Sequence, residues 1–311
     1  MYKVAVVGVG GWGKNHLRAM AQLMGENMVE VIYAVDIEEG RLRWAERAYR
    51  AVAVRGVEKA ADLDIDAAVV ATPTALHLSH ASIFLSRGIP TLVEKPFTAT
   101  LEETYRLLDV AGRTLVTTGY LLRFHPGVRY IKSRLADLGR FLNAYGKRTS
   151  RRPQRPGDVG VVKDLAIHDI DLTAYIAGQK ASLVYAWGGS AAGEHEDHAQ
   201  IFIQHDESSA IYETNWLTPY KFRKLELTGD RAIFAIDFVT EEVYLYGEDG
   251  IYRPRLELSE PLLGQDREFL KAAFGMGGEV VPREDIIYTM KICEAAVASI
   301  KTKKPIYIDD L

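Results

Sequence analysis

The sequence has 311 residues, of which 48% are hydrophobic and 26% are charged, which excludes a disordered chain, a collagen-like repeat and a small disulfide scaffold. Lysine and arginine number 38 against 42 aspartates and glutamates, and the net charge of −4 argues against a protein that coats nucleic acid. Apolar runs stay shorter than the roughly 18–20 residues that a bilayer requires, and the start, MYKVAVVGVGG, does not resemble a signal peptide. A single cysteine, Cys293, cannot form an internal disulfide, so we expect a cytoplasmic protein with neither a membrane nor a nucleic-acid partner.

The first part of the sequence alternates short apolar runs with stretches of helical periodicity. Strands are predicted at residues 3–7, 29–35, 67–71, 91–93 and 115–118, and helices at 15–24, 38–49, 76–87 and 101–111. Continuous apolar strands separated by helices are typical of a parallel sheet with both faces covered. Right-handed crossovers bring the carboxyl ends of such strands to one edge, where ligands bind. The sequence therefore predicts a doubly wound α/β domain over residues 1–119.

After Gly119 the pattern changes. Helices are predicted at residues 124–137, 164–177 and 283–301, and strands at 183–187, 199–204, 209–216, 224–228, 232–237 and 242–246. Short turns between consecutive strands, such as Gly229-Asp230 and Glu248-Asp249-Gly250, favour an antiparallel sheet. The sequence therefore predicts a second domain of α+β type over residues 120–311.

A glycine motif, G-x-G-x-x-G, lies between the first predicted strand and helix in the segment Gly8-Val9-Gly10-Gly11-Trp12-Gly13. Glycines there allow a tight turn, a close approach of a pyrophosphate and close helix–strand packing, and the helix start turns its amides towards the phosphates. Asp36 ends the next predicted strand 23 residues later, at the spacing of a carboxylate that binds the adenine ribose. We expect NAD as the cofactor, with NADP left open by Arg41 and Arg43. The alternative is a glycine turn beside a surface aspartate.

Two further groups follow strands at the same predicted edge. Thr72 and Pro73, with His77 close behind, should line the path of the cofactor. Glu94 should lie near the nicotinamide ribose, and Lys95 is a candidate for relaying a proton or orienting a substrate hydroxyl. The alternative for Glu94 and Lys95 is a solvated ion pair in a loop.

Asp164 and His168 lie four residues apart at the start of a predicted helix, so their side chains share a face. Oxidation of a secondary alcohol needs a base for the hydroxyl proton, and histidine has a suitable pKa. A carboxylate beside it can fix the tautomer. The alternative is a helix capped by Asp164 with a packed histidine. The acidic and histidine residues Asp169, Asp171 and 194–198 raise the alternative of a metal site, but a solvated turn is favoured at 194–198 and we expect no metal.

Five cations fall within nine residues in a predicted loop, with Arg123 and Arg129 upstream: Lys147, Arg148, Arg151, Arg152 and Arg155. Arginine suits phosphate oxygens, so the loop could bind the diphosphate of a sugar nucleotide. A solvated basic loop and a nucleic-acid contact are the alternatives. The acidic protein as a whole and the lack of interleaved aromatic residues argue against nucleic acid.

The segments GVGGWGKNH, VATPTALH, VEKPF, GYLLRFHP and KDLAIHDIDL, in this order, resemble the Gfo/Idh/MocA oxidoreductases. The resemblance implies a Rossmann domain followed by a domain with an open antiparallel sheet, whose exposed face would form a dimer or tetramer. It also implies that Lys95, Asp164 and His168 form the catalytic group. The segment GDVGVVKDLAIHDIDL, after KRTSRRPQRP, resembles more narrowly the UDP-N-acetylglucosamine 3-dehydrogenases.

Together these features predict an NAD(P)-dependent dehydrogenase that removes hydride from a ring hydroxyl of a sugar or sugar nucleotide, with UDP-N-acetylglucosamine at C3 as the first candidate. The expected substrate-binding residues are Lys95, Arg123, Arg151, Arg152, Arg155, Asp164 and His168. Two alternatives remain: an inositol or free-sugar dehydrogenase, and a regulator that binds NAD without chemistry.

Overall fold

The computed structural model describes residues 2–152, 158–257 and 259–311. They form two compact units: a first unit that runs to Leu121 and includes Glu260–Ile287, and a second unit of Leu122–Ser259 with Tyr288–Leu311. This corrects the predicted division into residues 1–119 and 120–311, because a segment late in the sequence returns to the first unit.

The strands and helices have the following bounds. The strands are β1 (Tyr2–Val7), β2 (Val29–Asp36), β3 (Val52–Arg55), β4 (Ala67–Val70), β5 (Thr91–Val93), β6 (Val116–Thr118), β7 (Phe141–Arg151), β8 (Ala181–Gly189), β9 (His198–His205), β10 (Ser209–Asn215), β11 (Leu217–Gly229), β12 (Ile233–Asp237), β13 (Glu242–Gly247), β14 (Gly250–Tyr252) and β15 (Ile306–Tyr307). The helices are α1 (Gly11–Gly25), α2 (Glu39–Tyr49), α3 (Val57–Ala61), α4 (His77–Leu85), α5 (Leu101–Ala111), α6 (Pro126–Ser133), α7 (Leu135–Leu138), α8 (Ile167–Ala177), α9 (Pro261–Ala273) and α10 (Arg283–Thr302). Short 3₁₀ turns occur at Thr74–Leu76, Leu121–Phe124 and Ile308–Asp310, and a π-helical turn occurs at Val162–Ala166.

The first unit contains a six-stranded sheet in the order β3-β2-β1-β4-β5-β6, in which every pair is parallel. This confirms the predicted doubly wound sheet. The apolar strands β1 and β4 lie in its centre and are buried on both faces, as continuous apolar runs require. The short elements β3 and α3 were not predicted.

Helix α9 belongs to the first unit because it shares that unit's core. Its residues Phe269 and Leu270 are buried in the same apolar cluster as Leu17 and Met20 of α1. Burial of apolar side chains is the dominant favourable contribution to folding, so this packing is what brings the late segment back.

The second unit contains a nine-stranded sheet in the order β14-β13-β12-β11-β7-β10-β9-β8-β15. All its pairs are antiparallel except β7 with β10, which confirms the predicted, mostly antiparallel sheet. Helix α8 packs on one face: Thr173 accepts a hydrogen bond of 2.7 Å from the Tyr212 hydroxyl of β10. Among the described residues, no helix is both long enough and apolar enough to cross a bilayer.

Candidate functional site

The glycine turn between β1 and α1 is shaped by two close backbone contacts. Gly8 has φ +89°, and a Cβ there would lie 2.7 Å from the carbonyl oxygen of Ala71. A Cβ on Gly13 would lie only 1.6 Å from the carbonyl oxygen of Gly8, so α1 packs directly on the turn. Around Gly10 and Gly11, by contrast, the space is open. The turn is therefore closed where the protein packs on itself and open where a phosphate would approach.

A cavity of about 580 Å³ lies beside this turn. It brings together the ends of β1, β2 and β4 with α3 and α4, and its lining includes Gly8, Gly10, Gly11, Trp12, Asp36, Glu38, Arg41, Glu58, Thr72, Pro73 and His80. The hydroxyl Oγ1 of Thr72 is buried without a hydrogen-bond partner in the described part of the chain. An unpaired buried hydroxyl on an open cavity, next to amides at a helix start, fits a dinucleotide with its phosphate and ribose oxygens.

Asp36 lies at the carboxyl end of β2 and lines the cavity. Its Oδ2 accepts a hydrogen bond of 2.7 Å from the amide of Val9, and its Oδ1 accepts from the amides of Ile37 and Glu38. Nη1 of Arg41 lies 3.4 Å from Oδ2. The carboxylate is thus held in place at the position expected for ribose binding. Arg43, the other arginine that left NADP binding open, pairs with Glu39 instead, 2.6 Å away.

Two cavity residues escaped the sequence analysis. His80 lies on α4 with its Nδ1 buried and without a partner in the described chain, and burial lowers the pKa of its imidazole. Glu58 lies on the short helix α3, and its charge acts in the opposite direction on that pKa. The only sequence signal for His80 was its position one helical turn after His77.

His77 holds two loops of this edge together. Its Nδ1 lies 3.0 Å from the carbonyl oxygen of Pro96, and its Nε2 lies 2.9 Å from that of Thr72. The side chain is buried, so its two ring nitrogens serve the loops after β4 and β5. His77 therefore positions the loops after β4 and β5, behind the expected path of the cofactor.

Glu94 follows β5 and is buried. Its Oε1 lies 3.0 Å from Nε2 of His16, and its Oε2 accepts a hydrogen bond of 3.0 Å from the amide of Lys95. The other nitrogen of His16 lies 2.8 Å from Oδ2 of Asp266 on α9. A Cβ on Gly119 would lie 2.7 Å from Oε1 of Glu94, so this glycine makes room for the carboxylate. Lys95 itself is half-buried.

In the second unit, Asp164 lies in the π-helical turn and His168 in the first turn of α8. The sequence predicted one continuous α-helix here, and the π-turn is the difference; such turns are frequent at functional sites. Along residues 159–173, Asp164 and His168 are half-exposed and every other residue is buried. Both side chains are thus partly accessible to solvent in an otherwise packed segment.

The segment 194–198 fixes the start of this turn. The carbonyl oxygen of Glu196 accepts from the amide of Val161, and its carboxylate accepts from the amide of Val162 at 3.2 Å. Asp197 is buried and accepts from the amides of Ala191 and Ala192. The expectation of a solvated turn holds for the exposed Glu194 and His195, and it fails for Asp197. The described residues contain no group of three or more His, Cys, Asp or Glu that could hold a metal ion.

The predicted basic loop is largely a strand, which corrects that interpretation. Residues 147–151 belong to β7, and their side chains alternate between its faces. Arg148 is 1% exposed and donates from Nε to Asp169 at 2.8 Å, while Lys147 lies 3.0 Å from Glu213 on the opposite face.

The other expected cations differ in their environments. Arg151 is exposed and donates to the carbonyl oxygen of Pro219, and Arg152 pairs with Asp197. Arg155 lies outside the described residues. Arg123 is buried, and its Nε and Nη2 donate to Asp171 at 3.0 and 2.5 Å. This pairing corrects the expectation that Arg123 offers its charge to a substrate, since the guanidinium is neutralised within the fold.

Two family models match the chain: "Oxidoreductase family, NAD-binding Rossmann fold" over residues 2–120 and "GFO/IDH/MocA C-terminal domain" over residues 128–235. The protein belongs to the Gfo/Idh/MocA family of oxidoreductases. The match confirms the family resemblance and the NAD cofactor inferred from the sequence.

Individual relatives are distant. A UDP-N-acetylglucosamine 3-dehydrogenase from Acidithiobacillus ferrooxidans is 27% identical over 252 residues, 78% of this chain and 76% of the relative. An inositol 2-dehydrogenase from Acidiphilium cryptum is 29% identical over 180 residues, 56% of this chain and 54% of the relative. The crystal structure of the Acidithiobacillus enzyme superposes with a TM-score of 0.87 over 97% of this chain and 98% of that one, at 22% identity, which shows a common fold.

Proposed function

We propose that the protein oxidises a secondary hydroxyl on the ring of a sugar or sugar nucleotide, with UDP-N-acetylglucosamine at C3 as the first candidate substrate. The observation that carries the proposal is the pair Asp164 and His168, half-exposed in a segment whose other residues are buried. A base and a carboxylate close together in the sequence and both accessible to solvent suit the removal of a hydroxyl proton.

Each residue has a distinct part in the proposed reaction. His168 accepts the proton of the substrate hydroxyl, and Asp164 orients its imidazole and stabilises the charge that forms. Lys95 donates a hydrogen bond to the reacting oxygen and polarises it. Bound NAD supplies the acceptor for the hydride that leaves the same carbon, so the alcohol becomes a ketone as one proton and one hydride depart.

The choice of substrate is supported by similarity alone. The Acidithiobacillus relative is named for UDP-N-acetylglucosamine, and the Acidiphilium relative is named for inositol. An inositol or free-sugar dehydrogenase is therefore the second candidate function. A regulator that binds NAD without chemistry is less well supported, because it would need neither the half-exposed His168 nor its carboxylate neighbour.

The test measures NADH or NADPH formation by purified protein with UDP-N-acetylglucosamine, UDP-glucose, myo-inositol and glucose. We expect turnover of at least one of these alcohols, at least about a hundredfold loss in His168→Ala, and no loss in His195→Ala, which removes an exposed histidine of the same unit. Equal activity of His168→Ala and the wild type would refute the assignment of the base. Turnover of inositol alone would select the second candidate.

We also propose that a second copy of the chain covers the outer face of the nine-stranded sheet. Tyr145, Ile211, Phe202 and Tyr185 are register neighbours on four adjacent strands, and each is between 37% and 45% exposed. A continuous apolar row of this kind marks an interaction surface. Light scattering should give a mass above that of one chain, and Phe202→Glu should lower it. Val110→Glu, on an exposed part of α5, should leave the mass unchanged.

A further inference from the structure

A row of polar side chains crosses the inner face of the nine-stranded sheet, the face that carries α8. In the sheet register, Arg148 of β7 lies opposite Arg223 of β11 on one side and Thr214 of β10 on the other. Arg148 points inwards, since its Nε binds Asp169 of α8. Residues in register on adjacent strands share a face, so all three side chains lie on the helix side.

This row has more donors than acceptors. Nη2 of Arg148 and Oγ1 of Thr214 are buried without partners in the described part of the chain, although both side chains are 1% exposed. The guanidinium of Arg223 is half-buried and makes no hydrogen bond or ion pair with any described residue. Buried polar groups are nearly always paired, so unpaired donors on neighbouring strands indicate an acceptor that the described residues do not supply.

The charges of the surrounding residues also favour an anionic partner for Arg223. Burial and the nearby Arg148 lower the pKa of the Arg223 guanidinium, and Asp164 and Asp169 act to raise it. Lys221, two positions earlier on β11, has its pKa lowered first by Arg223. Asp169 is already bound to Arg148. Arg223 therefore lies close to another cation, Lys221, and of the two carboxylates that raise its pKa one is already paired with Arg148.

We propose that Arg223 binds an oxyanion of the substrate beside Asp164, so that the substrate carries a phosphate or carboxylate group and is not a neutral polyol. This inference rests on the proposed function, because it places the anion next to the proposed catalytic pair. The shared chemistry is a negatively charged oxygen group with two or more acceptor atoms, which suits a guanidinium.

No local sequence pattern singles out Arg223. The five clustered cations drew attention to residues 147–155, whereas Arg223 stands in an ordinary strand between Phe222 and Lys224. Its neighbours point to the other face: Phe222 lies under Lys147, and Lys224 pairs with Asp237 at 3.2 Å. Lys224 is therefore a matched control, one position along the same strand and facing away from the row.

The experiment measures binding of inorganic pyrophosphate and of glucuronate to the full-length protein with NADH present, by calorimetry. The arms separate the two sources of the anion, a diphosphate and a carboxylate. We expect at least one probe to bind, a loss of affinity of about tenfold or more in Arg223→Met, and a smaller loss in Arg223→Lys. Lys224→Met should stay within about twofold of the wild type, and the affinity should fall as salt is added.

Kinetics give the second readout. In Arg223→Met the KM of an anionic substrate should rise with little change for myo-inositol. The proposal is overturned if neither probe binds the wild type, if Arg223→Met binds as the wild type does, or if both classes of substrate suffer equally. Failure of the proposed function looks different: no alcohol is oxidised, while anion binding still depends on Arg223.

Discussion

His16 and Asp266 are 250 positions apart in the sequence and lie 2.8 Å from each other inside the first unit. The opposite nitrogen of the same imidazole lies 3.0 Å from Glu94, and all three side chains are buried. Burial alone would lower the pKa of His16, but Asp266 and Glu94 outweigh it and raise that pKa to about 10. A buried imidazolium therefore connects α1, the loop that carries Lys95, and the late helix α9.

Replacing His16 should destabilise the first unit strongly. His16→Leu leaves two buried carboxylates without their cation, and breaking a buried ion pair costs about 3–5 kcal/mol. Arg18→Leu is the control, because it removes the pair with Glu260 between the same two helices, where both side chains are more than a third exposed. Such exposed pairs are worth about 1 kcal/mol or less. Urea unfolding should distinguish the two variants. Equal losses in their free energies of unfolding would contradict the role of burial.

The stability of the wild type should also depend on pH through His16. The pKa of its imidazole is about 10 in the folded protein, against 6.5 for a histidine exposed to water. Because the folded value is the higher one, the stabilisation is complete below about pH 6.5 and is lost as the pH rises through about 10. Unfolding of the wild type should therefore become easier across this range by more than unfolding of His16→Gln. Parallel pH profiles for the two proteins would be inconsistent with a charged His16.

Two glycines of the same turn should respond differently to alanine. In Gly13→Ala the new Cβ would collide with the carbonyl oxygen of Gly8, so we expect a loss of at least about 2 kcal/mol of stability even without cofactor. In Gly10→Ala the Cβ meets no protein atom within 4 Å, so stability should be preserved. The affinity for NADH should nevertheless fall by about tenfold or more, because the methyl group occupies the approach of the pyrophosphate. Fluorescence titration with NADH tests this prediction. Unchanged affinity in Gly10→Ala would show that the phosphates bind elsewhere.

Asp36 should set the preference between NAD and NADP. Asp36→Ser removes a carboxylate that would repel a 2′-phosphate and releases Arg41, whose Nη1 lies 3.4 Å away. The ratio of NADPH to NADH affinity should rise by about tenfold or more. Glu39→Gln is the control, since its partner Arg43 lies outside the cavity lining. If Glu39→Gln shifted the ratio as far as Asp36→Ser, net charge and not the position of Asp36 would decide the preference.

Local sequence patterns predict those elements whose structure is determined by residues nearby in the sequence. Strand β5 and helix α5 match their predicted ranges, because an apolar run and a helical period each report burial directly. The glycine turn and Asp36 could be singled out because a dinucleotide-binding motif restricts both residue type and spacing. For the same reason Asp164 and His168 could be singled out, although the π-turn between them could not.

The features that escaped prediction depend on contacts far along the chain. Strand β7 was interpreted as a loop because its cations look solvated, but Arg148 is neutralised by Asp169 on α8. The link between His16 and Asp266 has no sequence signal, since no local pattern around His16 indicates a partner 250 positions later. Arg223 was overlooked for a related reason, because its environment depends on Arg148, which lies opposite it on the neighbouring strand.

The return of residues 260–287 makes the first unit discontinuous in sequence. Besides α9, Val281 exchanges hydrogen bonds of 3.0 and 3.1 Å with the Thr117 hydroxyl of β6, and Arg283 donates to the carbonyl oxygen of Thr114. During synthesis the nascent chain therefore emerges with its nucleotide-binding half unfinished, and that half gains α9 only after strands β7 to β14 of the second unit have been synthesised. A fragment ending at residue 121 would expose the apolar side of α1, so the two halves cannot be separated by a single cut.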